Sequence, residues 1–155
     1  MRKLVSLVVT LLFISACSNS IAKPVSVSLN VDSCDTCHMG IMDLQASAQL
    51  IQKDGTPKKF DDIGCLVEYM QLNPSNNDNA FVHDHISGEW IDFKNSTFIH
   101  NPAHHTPMSY GFIAFKSEDE ATSYKNQHGG MMYSHEELLD LSIKDIKKKG
   151  PNHGH

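Results

Sequence analysis

Residues 48–70 read AQLIQKDGTPKKFDDIGCLVEYM, and this stretch determines the first half of the fold. Its first residues alternate partly between apolar and polar and stop at the turn signal Asp54–Gly55, which predicts a strand. TPKKF then predicts a short hairpin partner. Asp61 or Asp62 can cap the helix that follows. That helix has one apolar face, formed by Ile63, Leu66, Val67 and Met70.

The segments that follow complete this order and then begin it again. A polar loop over residues 73–79 leads into AFVHDHI, whose alternation predicts a third strand. Further on, EWIDFKNSTFIH (residues 89–100) is predicted to be extended, NPAHHTPMS to be a loop and YGFIAF to be a strand.

Two capping boxes define the helices of the second half. SEDE, at residues 117–120, opens a helix that ends at Gly129–Gly130, and MMY predicts a short strand after it. SHEE, at residues 134–137, opens a last helix that is predicted to run to about Lys148. The predicted fold class is α+β, with a tandem pair of β-β-α-β units forming one compact domain.

The N-terminus has the pattern of an export signal. A short basic segment precedes the apolar residues 4–14, which are too few to span a bilayer, and small residues then lead into Cys17. This arrangement resembles a bacterial lipoprotein signal, in which cleavage before the cysteine leaves it lipidated. By analogy with lipoprotein sorting, Ser18 favours the outer membrane. The predicted divisions are a signal peptide at 1–16, a lipid-anchored tether at 17–32, a folded domain at 33–149 and a flexible tail at 150–155.

Composition argues against several function classes. Cleavage before Cys17 would remove Arg2 and Lys3 but no acidic residue, which leaves 11 basic residues against 18 acidic ones and a formal charge of −7. A negative chain with 8% aromatic residues and no basic patch is not expected to bind nucleic acid. The sequence also lacks a nucleophile–base pattern, paired catalytic carboxylates and a phosphate-binding glycine loop, so we do not expect an enzyme.

The sequence CDTCHM, at residues 34–39, fits three kinds of site. Cys34-x-x-Cys37-His38 is the attachment pattern of c-type haem and would make the protein an exported electron carrier. Cys34 and Cys37 alone would suit a dithiol redox protein. Cys37-x-Met39 offers a thiolate and a thioether, the soft ligands that Cu(I) prefers. The strand-rich pattern offers neither a helical haem pocket nor the strand-to-helix entry of a dithiol site, and therefore favours copper over its two rivals.

A copper site needs further ligands beside this motif. In an extended segment Cys37 and Met39 would point to the same side, because side chains alternate along it. Met108 lies in a histidine-bearing loop just ahead of a predicted strand and is the candidate third ligand. The chain has four cysteines beside seven methionines and ten histidines, and lipidation of Cys17 would leave an odd number of thiols. That balance suits a soft-metal site better than a disulfide scaffold.

Other donors accompany these candidates. The possible additional metal ligands are Cys34, His38, His104 and His105. His83 and His85 alternate along one strand face and form a possible chelating pair, but the pattern is more typical of ordinary surface histidines, and we interpret them as such. Cys65, inside the first helix, is predicted to be a small buried side chain.

Taken in succession, these segments resemble the NosL family, copper-binding lipoproteins that accompany the maturation of nitrous oxide reductase. The likeness covers residues 34–139 and includes the lipoprotein signal at Cys17. The segments that carry it are CDTCHMGI, AQLIQKDGTPKKFDDIGCLVEYM, EWIDFKNSTFIHNP, TPMSYGFIAF and HGG. The family's fold of two β-β-α-β units is what the resemblance implies for this chain as well.

The resemblance also implies a site and a role. It places the family's C-x-M motif on Cys37 and Met39 and its downstream methionine on Met108, as Cu(I) ligands. His38 stands where the family usually has a small residue. The implied role is that of a periplasm-facing metallochaperone, held at the membrane by lipid on Cys17, whose partners are nitrous oxide reductase and the accessory membrane complex that inserts its copper.

Overall fold

The structure is a computed structural model, and it describes residues 22–74, 79–143 and 145–146. The predicted signal peptide, the lipidation at Cys17 and the predicted tail of residues 150–155 lie outside the described residues. None of the described helices is long and apolar enough to cross a membrane.

The first unit contains the elements that residues 48–70 predict. Strands β1 (Ala48–Ile51) and β2 (Pro57–Phe60) form an antiparallel hairpin, and helix α1 (Ile63–Leu72) follows directly. Strand β3 (Ala80–His83) returns to pair with the other edge of β1. A further strand, β4 (Trp90–Asp92), pairs with β3, so the sheet has the order β2-β1-β3-β4.

The second unit repeats this path. Strands β5 (Thr97–His100) and β6 (Phe112–Phe115) form an antiparallel pair, helix α2 (Glu118–His128) follows, and strand β7 (Met131–Tyr133) pairs with the free edge of β5. The strand order β6-β5-β7 matches β2-β1-β3 of the first unit. The predicted α+β fold with tandem β-β-α-β units is therefore confirmed. Helix α3 (His135–Asp140) completes the order of elements.

Two element boundaries differ from the prediction. Residues 89–100, predicted as one extended segment, are divided by a 3₁₀ turn at Phe93–Asn95. The cause is the burial of Phe93, whose ring lies 4.8 Å from that of Phe98 in the core. This turn allows β4 to end the first sheet and β5 to begin the second.

The last helix is also shorter than predicted. It ends at Asp140, and Leu141 is extended, because the Gln71 side-chain amide of α1 donates hydrogen bonds to the carbonyls of Leu139 and Leu141 at 2.8 Å. A new helical turn then begins at Ser142, whose carbonyl accepts the amide of residue 145. The break turns the chain back so that Ile143 packs in the core.

The two units share one hydrophobic core. Its largest fully buried side chains come from both sheets and both halves of the chain: Phe60, Leu66, Met70, Phe93, Phe98 and Phe112. Burying such a side chain contributes about 1.5–3 kcal/mol relative to leaving it exposed, so this core provides most of the stability. The predicted apolar face of α1 is buried in it.

The sheets also meet through backbone contacts. Asp84 pairs with Ala114 as an isolated parallel bridge, and the amide of His85 donates to the carbonyl of Ala114 at 2.8 Å. The Asp84 carboxylate accepts the amide of Lys116 at 3.0 Å. These contacts fix β3 against β6, and they fix the end of β3 beside the loop that precedes β6.

Candidate metal centre

The Cys34–Met39 segment is a tight loop. The amide of Cys34 donates to the carbonyl of Met39 at 2.8 Å, the amide of His38 donates to the carbonyl of Cys34 at 2.9 Å, and His38 has φ +64°. The extended geometry assumed for Cys37 and Met39 is therefore wrong. The loop turns Cys37 inward, where it is half-buried, and leaves Met39 54% exposed.

Polar contacts to β2 and α1 explain why this segment turns. The amide of Asp35 donates to the carbonyl of Lys59, and the amide of Lys59 donates to the Asp35 carboxylate, each at 2.8 Å. The same carboxylate forms a 2.9 Å ion pair with Lys58. The Thr36 hydroxyl donates to the carbonyl of Cys65 at 2.9 Å. An extended segment could not make these contacts together, so the loop is held against the start of α1.

Four donor side chains converge where the loop meets that helix. The sulfur atoms of Cys34, Cys37 and Cys65 and a carboxylate oxygen of Asp61 all lie within 4.8 Å of one another. Among the described residues, this is the only such group of three or more histidine, cysteine or acidic side chains. Cys37 is half-buried and the other three are buried, so the cluster has one side toward solvent. The three cysteines are free thiols.

Of the three thiols, Cys34 is the one that the cluster holds ionised. The Cys65 thiol donates a hydrogen bond to Cys34, backbone amides add further donors, and together they outweigh burial and lower the pKa of Cys34 to about 6. Burial, the adjacent Cys34 and the Asp61 carboxylate raise the pKa of Cys37 to about 11. The hydrogen bond to Cys34 and burial likewise raise the pKa of Cys65. At neutral pH the cluster therefore contains one buried thiolate and two thiols.

The third predicted ligand, Met108, is positioned by Asp62. Asp62 is the N-cap of α1 and accepts the amide of Gly64 at 2.9 Å. Its second oxygen accepts the hydroxyl of Thr106 at 2.6 Å and the amide of Met108 at 3.1 Å. One carboxylate thus joins the β5–β6 loop to the helix turn that carries Cys65. Met108 and Cys37 are both half-buried against the main core.

A close aromatic contact fixes the same loop from its other end. The ring of Tyr110 lies over Gly64, where an added Cβ would be 2.2 Å from ring carbons. Gly111 has φ +65°, and a Cβ there would lie 2.5 Å from the carbonyl oxygen of Asn101. Glycine is therefore required at position 64 for the ring to lie against the helix, and at position 111 for the two ends of the loop to meet.

Comparison with known proteins places the chain in a family. The family model described as NosL matches residues 24–142, most of the chain. The chain belongs to the NosL family. Among curated proteins none matches it.

A solved structure with the same fold is that of the copper chaperone NosL from Shewanella denitrificans. It is 18% identical, with a TM-score of 0.64, and the match covers 75% of this chain and 95% of that one. At this identity the likeness shows the shared fold.

The family match begins at residue 24, inside the segment predicted as a tether. Val25 in that segment is attached to the domain, because its amide and its carbonyl both form hydrogen bonds with the buried side-chain amide of Gln49.

The histidines predicted as possible additional metal ligands occupy two places. His38 is exposed on the cysteine loop. His104 and His105 lie in the β5–β6 loop but line a separate cleft, together with His83 and His85. His83 is buried, contrary to its interpretation as a surface side chain.

Asp61 and Cys65 are donors of the cluster that the sequence patterns do not indicate. The patterns predict only a possible helix cap at Asp61 and a small buried side chain at Cys65. Asp61 and Cys65 are four residues apart at the start of a helix, and residues at this spacing lie on the same side of the helix. This spacing is the sequence signal that could have predicted them as a pair of metal donors. The three-dimensional closeness to Cys34 comes from the loop contacts of Asp35 and Thr36.

Proposed function

We propose that this NosL-family protein binds Cu(I) at Cys37, Met39 and Met108 and passes the ion to a recipient protein. The observation that carries the proposal is the position of Cys37 at the solvent side of the thiol cluster. The loop bearing Met108 is attached to the same helix start through Asp62. The name of the similar protein from Shewanella denitrificans, a copper chaperone, supports the same role.

The donor chemistry suits Cu(I). Thiolate and thioether sulfurs are soft ligands, which Cu(I) prefers over the oxygen ligands chosen by harder cations. Cys37 supplies one thiolate on metal binding, and Met39 and Met108 supply neutral thioethers. Such a set carries a single negative charge, which matches the single positive charge of Cu(I).

The buried part of the cluster assists the same ion. The Cys34 thiolate lies next to Cys37, and its negative charge favours a cation in the adjoining position. Asp61 has a carboxylate oxygen 3.5 Å from the Cys37 sulfur and accepts the thiol hydrogen bond. Asp61 therefore orients the Cys37 thiol, whose proton is released when copper binds, while Cys65 holds Cys34 as the thiolate.

The exposure of Met39 suits transfer of the ion. Cys37 and Met108 are half-buried, whereas more than half of Met39 is open to solvent. A partner that offers a soft ligand can replace the Met39 thioether first and then take the ion by ligand exchange. No reaction of the bound ion is needed, so the role is that of a carrier and not of an enzyme.

The setting of this carrier is the bacterial cell envelope. Lipid on Cys17 would keep the domain at the periplasmic face of a membrane, the outer one being favoured by Ser18, and raise its effective concentration near membrane-bound partners. The recipient that we propose is nitrous oxide reductase, loaded through its accessory membrane complex. The support for this recipient is membership of the NosL family.

The thiol geometry disfavours the two rival functions. Covalent haem would require access to both cysteine sulfurs, but Cys34 is 1% exposed and its sulfur is hydrogen-bonded to the Cys65 thiol. A dithiol oxidoreductase attacks its substrate with an accessible thiolate of low pKa. Here the pKa is low at the buried Cys34 and raised at the more accessible Cys37, the reverse of that requirement.

A complementation experiment tests the proposed recipient. A denitrifying bacterium that lacks its own NosL-family gene should produce copper-poor nitrous oxide reductase, and the full chain should restore the copper content and the consumption of nitrous oxide. We expect the Cys37→Ser variant to restore neither, and Met42→Leu, an exposed methionine near the loop, to restore both. Full restoration by Cys37→Ser would contradict the proposal.

A further inference from the structure

A second group of metal-binding side chains lies outside the thiol cluster. A cleft of about 190 Å³ separates the end of β3 from the β5–β6 loop, and four imidazoles line it. His83 and His85 come from the β3 side, and His104 and His105 come from the loop. The backbone contacts between Asp84 and β6 hold these two sides together.

His83 has the arrangement of a metal ligand. It is 5% exposed, and its Nδ1 lies 2.8 Å from the carbonyl oxygen of Gly88, to which it donates. Its Nε2 is buried and has no hydrogen-bond partner among the described residues. Histidines that bind metals donate their other ring N–H in this way, which leaves a fixed lone pair on the free nitrogen. The ring also stacks on Trp90 with centroids 3.7 Å apart.

The next two imidazoles are spaced for a shared ion. The ring centroids of His85 and His104 are 5.6 Å apart. Zn–N bonds of about 2.0–2.1 Å place two imidazole centroids on one tetrahedral ion roughly 5 Å apart. His85 is fixed by edge contacts with Phe115 and Tyr124. His104 lies in a loop and is the side chain that can adjust.

The protonation state of these groups also suits metal binding. Burial lowers the pKa of His83, His85 and His104, so the imidazoles are neutral near pH 7 and their lone pairs are available. Asp43 lines the same cleft and adds a negative charge that favours a cation.

We propose that His83 Nε2, His85 and His104 bind a divalent ion of borderline softness, such as Zn(II), in this cleft. Imidazole ligands suit Zn(II) and Cu(II), whereas the thiolate and thioether set at Cys37, Met39 and Met108 suits Cu(I). The three imidazoles are not yet within the close spacing of the thiol cluster. Binding therefore draws the His104 loop toward His83, and His105 or water completes the coordination.

Nitrogen NMR of the histidine rings tests this site directly. The full chain, labelled with ¹⁵N-histidine and kept in detergent, is titrated with Zn(II). We expect the ring signals of His83, His85 and His104 to shift together and to saturate with one ion in the cleft, in addition to any ion held by the thiol cluster. A response confined to His38 on the cysteine loop, or to the terminal residues His153 and His155, would overturn the proposal.

Matched variants give the strength of binding. His85→Gln and His104→Gln should each weaken Zn(II) binding to the cleft at least about tenfold, because each removes a ligand. His135→Gln, on α3, is the control and should leave the affinity unchanged. Unchanged affinity in both ligand variants would contradict the proposal. Cys37→Ser should not alter the histidine signals, so a failure of this site is distinguishable from a failure of Cu(I) binding.

Discussion

Replacement of Cys37 by serine is expected to weaken Cu(I) binding by at least about a hundredfold, since loss of a second-shell group alone costs roughly ten- to a hundredfold. Cys37 is the thiol of the cluster that solvent reaches, and the only one that the proposed set uses as a thiolate ligand. Serine offers a hard hydroxyl that does not ionise near neutral pH. The affinity is measured by anaerobic competition with a Cu(I) chelator.

The matched control for this variant is Cys34→Ser. Cys34 is buried and accepts a hydrogen bond from the Cys65 thiol, so its sulfur assists the site by its charge and does not complete the ligand set. We expect Cys34→Ser to retain Cu(I) binding, with a smaller loss than Cys37→Ser. Equal losses in the two variants would indicate a two-thiolate site and would contradict the assignment of one thiolate ligand.

The second large effect is a dependence of Cu(I) affinity on pH. The pKa of Cys37 is raised to about 11, so between pH 7 and pH 9 its thiol keeps a proton that copper must displace. Protons therefore compete with Cu(I), and the affinity falls as the pH falls. Release of one proton per ion corresponds to about tenfold for each pH unit, or about a hundredfold from pH 9 to pH 7.

The slope of this dependence is informative because Cys34 is already ionised. Its pKa is lowered to about 6, so it releases no proton over the same range. The measurement is the same chelator competition at a series of pH values, corrected for the titration of the chelator. A slope of two protons per ion would show that a second thiol binds copper, and a slope of zero would show that Cys37 is not a ligand.

The fold was predictable because its signals are local. The DG turn, the N-caps at Ser117 and Ser134 and the apolar face of α1 each involve only a few neighbouring positions, and all are present in the structure. The full capping box forms at residues 134–137, whereas Ser117 makes the N-cap hydrogen bond without the reciprocal bond to its backbone amide. The two boundaries that the prediction missed depend on distant partners. Burial of Phe93 against Phe98 breaks the long extended segment, and Gln71 ends α3 from another helix.

The candidate site was predictable in part for the same reason. The C-x-M motif and Met108 were evident as residue types, but their arrangement was not. The turn at Cys34–Met39 depends on Asp35 and on β2, and the approach of Met108 depends on a buried carboxylate, Asp62, that bonds a loop 46 residues away. Such contacts have no periodic signal in the sequence.

The most direct test of the copper site compares three methionine variants of the full chain by anaerobic Cu(I) competition. Met39→Leu and Met108→Leu keep the side-chain volume and remove the thioether, and so does Met42→Leu, whose residue is 71% exposed close to the loop. We expect the first two to weaken Cu(I) binding at least about tenfold each, and Met42→Leu to bind as the parent does. Parent-like affinity in both Met39→Leu and Met108→Leu would contradict the proposed Cys37–Met39–Met108 site.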